Sequence, residues 1–139
     1  MTTVVDTGPL VALVDADNDQ HAACRAWYGQ VGPRHLVVPT PVIAETAFLI
    51  ASHVGAPVAA AFLADLGQGL YGRVVNTTPP DLARMSELVL QYESLPLSGT
   101  DACVVALAER LDTPRVATLE RRHFTVVRPR HAPAFELYP

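Results

Sequence analysis

Short apolar runs alternate along the chain with longer stretches patterned for helix. Thr3-Val4-Val5, Leu36-Val37-Val38, Arg73-Val74-Val75, Arg115-Val116-Ala117-Thr118 and Thr125-Val126-Val127 are short and rich in β-branched side chains, and each reads as a strand. A short apolar helix over residues 10–14, with Pro9 in its first turn, follows the first strand. The next helix carries His21, Cys24, Trp27 and Tyr28; Asp17, Asn18 or Asp19 can cap it, and Gly29, Gly32 and Pro33 are expected to end it. Thr40-Pro41 reads as an N-cap with proline in the first turn of a nearly all-apolar helix over 42–53. Gly55-Ala56-Pro57 separates that helix from an alanine-rich one over 58–66. Thr77-Thr78-Pro79-Pro80 opens a helix whose Leu82, Met85, Leu88, Val89 and Tyr92 share one stripe. Residues 95–99 read as a loop, and Thr100-Asp101 begins a buried helix over 102–111.

Apolar strands separated by helices predict an α/β domain with a central parallel sheet of four or five strands and helices on both faces. No repeat, low-complexity tract or linker divides the chain, so residues 1–139 read as one domain. A chain of 139 residues that is 50% hydrophobic and 17% charged can bury a core, which excludes a disordered protein. Cys24 and Cys103 cannot build a disulfide framework and lack metal-site spacing; they read as buried free thiols in a reducing cytosol. The opening MTTVVDTGPL lacks the basic segment of a secretory signal. The longest apolar run, over residues 54–64, is broken by Pro57 and falls short of the roughly 20 residues that span a bilayer. The expectation is a cytoplasmic protein with no membrane association.

Charge adds a second layer. All ten basic residues are arginine; residues 1–109 carry a net charge of −7 and residues 110–139 one of +3. A basic C-terminal stretch on an acidic body suggests an anionic partner near that end, or simply a solvated tail.

Four acids stand where a parallel α/β fold binds ligands, near the carboxyl ends of strands. Asp6 ends the first strand, though it could merely cap the helix that follows. Glu45 is the only formally charged residue between Arg34 and Asp65, inside a helix that otherwise reads as buried. Asp101 starts the helix feeding the fourth strand, and Glu120 follows that strand. One rim can receive all four. Their mutual repulsion and desolvation would cost several kcal/mol without a counter-ion. A hard divalent cation, Mg²⁺ or Mn²⁺, resolves the conflict and suits water attack on a phosphodiester.

The segments V-V-D-T-G-P-L at Val4–Leu10, E-T-A at Glu45–Ala47, G-T-D-A at Gly99–Ala102 and A-T-L-E-R-R-H-F at Ala117–Phe124 resemble the PIN domain, and more narrowly the VapC-type ribonuclease toxins of bacterial toxin–antitoxin pairs. The resemblance runs over essentially the whole chain. It implies a metal-dependent endoribonuclease, usually dimeric, held inactive by a VapB-type antitoxin. It matches Asp6, Glu45 and Asp101 to the metal-surrounding acids and Thr7, Thr118 and Ser98 to supporting polar positions. The chain departs at Glu120, where the family often has Asp; the extra methylene puts direct ligation in doubt. Arg121 and Arg122 are candidates to position RNA phosphates, with Arg128 and Arg130 left open. His123 is a weak candidate for RNA contact, and His21 reads as a packing or surface residue.

Two other signals fail. Residues 15–19 begin like an EF-hand loop, but Gln20 and Ala26 stand where glycine and glutamate are needed. Asp6-Thr7-Gly8 echoes aspartic proteases, whose all-β build this chain lacks. The rival readings are a non-catalytic RNA- or protein-binding module of the same fold and, last, a receiver-like phosphate acceptor, which needs a lysine that this chain does not have. The apolar stretch over 42–66 is a candidate surface for a partner's amphipathic segment or a second subunit.

Overall fold

Val4 and Val5 have no solvent exposure, and neither do Val38, Val116 and Ala117, so the first, second and fourth apolar runs form the centre of a sheet. The computed structural model describes all residues, Met1–Pro139. The strands are β1 (Thr3–Val5), β2 (Leu36–Pro39), β3 (Arg73–Val75), β4 (Arg115–Ala117) and β5 (Glu136–Tyr138). They pair in parallel in the order β3-β2-β1-β4-β5. The helices are α1 (Thr7–Val14), α2 (His21–Val31), α3 (Thr40–His53), α4 (Ala56–Gly67), α5 (Pro79–Gln91), α6 (Gly99–Arg110) and α7 (Arg121–Val126). With this strand order, crossovers of the usual right hand carry α1 to α4 to one face and α5 and α6 to the other, and the helices pack in those two groups. The predicted α/β class and parallel sheet stand, with five strands.

The fifth strand lies elsewhere than the sequence pattern put it. Thr125 and Val126 belong to α7, not to a strand. Phe124 and Val127 are buried while Thr125 and Val126 are exposed, a helical spacing that overrides the β preference of the run. The edge strand is instead Glu136–Tyr138, a three-residue segment among prolines with no clear alternation to announce it.

Several boundaries also move. Gly29 lies inside α2, which ends at Val31, and no side chain caps its start; Asn18 instead accepts from the Gln20 N–H at 2.9 Å within the preceding turn. Thr40 is the first residue of α3 rather than its cap, and its hydroxyl donates to Val75 O and Asn76 Oδ1, tying the helix start to the end of β3. The cap of α6 is Ser98, whose Oγ accepts from the Asp101 N–H at 3.0 Å. Gly72 is fixed by geometry: its φ is +122° and a Cβ there would lie 2.6 Å from Leu36 O. No helix is long and apolar enough to cross a membrane.

The strand order sets the location of the site. From β1 the chain moves toward β2 and β3, then returns to β4 on the other side. The crevice at the carboxyl ends of β1 and β4 is therefore the topological switch point.

Candidate active site

Asp6 and Thr118 follow directly on paired residues, since Val5 of β1 is in register with Ala117 of β4 and the Asp6 N–H donates to Ala117 O. Adjacent parallel strands thus bring the two side chains together, and Thr118 Oγ1 donates to Asp6 Oδ2 at 2.8 Å. Asp6 Oδ1 accepts from the Thr7 N–H at 2.8 Å, so Asp6 also caps α1. The structural reading of this aspartate, a cap on α1, holds. Burial pushes its carboxyl up to about 6, against the hydrogen bonds from Thr7 and Thr118; the charges of Asp101 and Glu45 push it up further.

Thr7 links Asp6 to α3. Its backbone serves Asp6, while its hydroxyl donates to Glu45 Oε2 at 3.0 Å. Glu45 is exposed although its helix reads as buried: α3 buries only Val42, Thr46 and Ile50 and turns Glu45 outward. Asp101, in the first turn of α6, is buried, and its Oδ2 lies 2.8 Å from His123 Nδ1 of α7. Glu120 is exposed, and its carboxylate has no ion pair in the chain.

All four acids line one cavity of about 360 Å³, together with Thr7, Ser98 and His123. Of these acids Asp6 and Asp101 are buried, whereas Glu45 and Glu120 are exposed. No arginine lines it. The donors fit a hard cation: they are oxygens, and no guanidinium neutralises them. As they stand, no three His, Cys, Asp or Glu side chains converge closely enough to hold an ion between them.

The arginines lie apart from this cavity. Arg121 borders a neighbouring depression with Gln20, Ala23 and Leu119, and donates to Pro139 O. Arg122 is exposed at the start of α7. Arg110, Arg115 and Arg130 pair with Asp81, Glu136 and Glu87, so half of the arginines in the basic C-terminal stretch are already matched. His21 packs as expected, with Nδ1 at 2.6 Å from Ala12 O. No pattern in the sequence assigns His123 a role in supporting an acid. Its adjacency to Phe124 was the available signal, because Phe124 is 1% exposed and fixes which way α7 faces.

Residues 3–128 match the family model of the PIN domain. The chain belongs to the PIN domain family. This PIN domain is 32% identical over 136 residues to Ribonuclease VapC26 of Mycobacterium tuberculosis, covering 98% of the chain and 99% of that protein. Its fold is similar to that of M. tuberculosis VapC20, described as a Sarcin-Ricin loop cleaving toxin, with a TM-score of 0.76, 20% identity, and coverage of 83% of this chain and 87% of that one. It is also similar to VapBC2 from Rickettsia felis, solved bound to a DNA fragment from their promoter, with a TM-score of 0.72, 12% identity and full coverage of both chains. FitAcB from Neisseria gonorrhoeae matches with a TM-score of 0.71 and 14% identity, over 99% of this chain and 97% of that one.

Proposed function

We propose that this PIN domain is a metal-dependent endoribonuclease, the toxin of a toxin–antitoxin pair, acting in the cytoplasm. One observation carries the reading: two buried carboxylates, Asp6 and Asp101, share a cavity with Glu45 and Glu120, and no arginine enters it. The relationship to Ribonuclease VapC26 over nearly the whole chain supports the same activity.

Asp6 and Asp101 would hold Mg²⁺ or Mn²⁺ directly, with Glu45 joining them or orienting the attacking water. When bound, the cation supplies charge neutralisation, a more acidic water and stabilisation of the leaving oxygen. The chain's own groups prepare the rest. Thr118 fixes one oxygen of Asp6, and the Thr7 N–H fixes the other. The Thr7 hydroxyl holds Glu45 Oε2, and Oε1, without a hydrogen-bond partner in the chain, would be the acceptor for a water proton. Glu120 completes the acidic cluster, and Ser98 keeps Asp101 at the helix start. Arg121 and Arg122, outside the cavity, would position RNA phosphates.

A VapB-type antitoxin and a second copy of the chain are the proposed protein partners. Phe48, Val54 and Leu63 on and beside α3 and α4 are exposed apolar side chains available to either. The rival reading, a non-catalytic RNA- or protein-binding module, draws on the lack of a preassembled three-residue ligand group. Purified protein carrying Asp6→Asn together with Asp101→Asn, assayed with RNA and Mn²⁺, decides between them. Cleavage should fall by at least about 10²-fold, and persistence at the wild-type rate would remove both aspartates from the mechanism.

A further inference from the structure

We infer that His123 is a positioning residue that fixes the carboxylate of Asp101 for cation binding. The inference rests on the nuclease reading above and assigns the site a residue from α7. His123 Nδ1 lies 2.8 Å from Asp101 Oδ2. The side chains of His123 and Asp101 are 16% and 12% exposed, so bulk water competes weakly for this contact. An ionised carboxylate only accepts, so Nδ1 carries the proton that is shared.

The contact spans two elements that are themselves anchored. Phe124 is buried and meets Phe135 edge-on at 5.9 Å, which pins α7. Asp101 sits in the first turn of α6, whose residues 101 to 108 are all buried. With Oδ2 held by the imidazole, Oδ1 of Asp101 has no hydrogen-bond partner in the chain and is left to face the cavity.

Two of the other acids, Asp6 and Glu45, are held in the same manner by different donors. Asp6 takes Thr118 and the Thr7 backbone, and Glu45 takes the Thr7 hydroxyl. His123 is the only side chain that donates to Asp101. Donors behind metal-binding carboxylates orient them, and their loss typically weakens affinity by about 10–100-fold.

Mn²⁺ titration followed by the EPR signal of free Mn²⁺ tests the role without using activity. His123→Ala should raise the Mn²⁺ dissociation constant by about 10-fold or more. His123→Asn places an amide N–H where Nδ1 stood and should recover most of the affinity, whereas His123→Gln, whose amide reaches the Nε2 position, should not. The Asn and Gln variants are close in size, so their contrast stands even if the Ala variant folds poorly. Dissociation constants within about twofold for wild type, Asn and Gln would overturn the inference while leaving the nuclease reading intact. Absence of any carboxylate-dependent Mn²⁺ binding in the wild type would overturn both. The pulsed EPR spectrum of the bound ion should lack a directly coordinated ¹⁴N. A coordinated nitrogen lost in His123→Ala would make His123 a ligand and end its positioning role.

Discussion

At the scale of single residues, the cavity stores unfavourable electrostatics. Asp6 has a carboxyl raised by burial to about 6, above the roughly 3.9 of an unfolded chain. Protonation therefore stabilises the fold: the contribution is full below about pH 4 and is lost as pH rises through about 6. Above that, the anion costs on the order of 2–3 kcal/mol. Asn caps a helix as well as Asp does, so Asp6→Asn should keep the start of α1. In EDTA at about pH 7.5 this variant should melt several degrees above wild type, with the gap closing near about pH 4.5. Calorimetry at the two pH values checks it, and an unchanged gap would mean that Asp6 is not strained. The types of these residues were legible in the sequence, because a lone Glu45 in an apolar helix or an Asp after a β-branched run is a local signal. Their exposures were not, because burial depends on which neighbours arrive from distant elements.

Cap readings fail at α2, α3 and α6, and the apolar stripe of α5 leaves Leu82 and Val89 exposed. The start of α5 was readable from Thr78-Pro79-Pro80, and Thr78 and Asp81 form a capping box there. Asp81 does more than its position suggests, since it also accepts from Arg110 at the end of α6, with Nε 3.1 Å from each carboxylate oxygen. Burial alone raises the Asp81 carboxyl, but the Thr78 N–H and the Arg110 guanidinium outweigh it and hold the group below its usual range. Its stabilisation is present above the unfolded value of roughly 3.9 and is lost as pH falls below it. Arg110→Ala should lower stability at neutral pH by about 1–3 kcal/mol and flatten the acid limb of a urea-midpoint profile. A parallel downward shift with the same acid slope would show that Asp81 keeps its depressed value without Arg110. By contrast, α7 defeats its own β-branched run because Phe124 and Val127 find the core only in a helix.

Across the whole molecule, the strand order β3-β2-β1-β4-β5 gathers the acids. It sets β1 beside β4, so that Thr118 donates a hydrogen bond of 2.8 Å to Asp6, 112 positions away in the chain. Helices α1 and α6 also begin at this crevice, and their N-terminal dipoles favour the carboxylates there. A cation that binds the folded state alone should stabilise the entire domain. At a Mn²⁺ concentration about 100 times its dissociation constant, the gain is about 2.7 kcal/mol. Thermal unfolding with and without Mn²⁺ should show this shift in wild type and not in the Asp6→Asn, Asp101→Asn double variant. An equal shift in both proteins would place the ion elsewhere.

The order of the elements as far as β4, the α/β class and the identity of the four acids belong to the sequence itself. Apolar runs, proline-started helices and isolated charges are short-range features that need no partner to be read. Three matters were decided only in the folded chain: whether residues 125–127 extend or coil, where the edge strand lies, and which donor holds which acid. Each turns on free energies set between segments far apart in the chain. Core burial of Phe124 outweighs a local β preference, and the approach of α7 to α6 gives Asp101 a histidine.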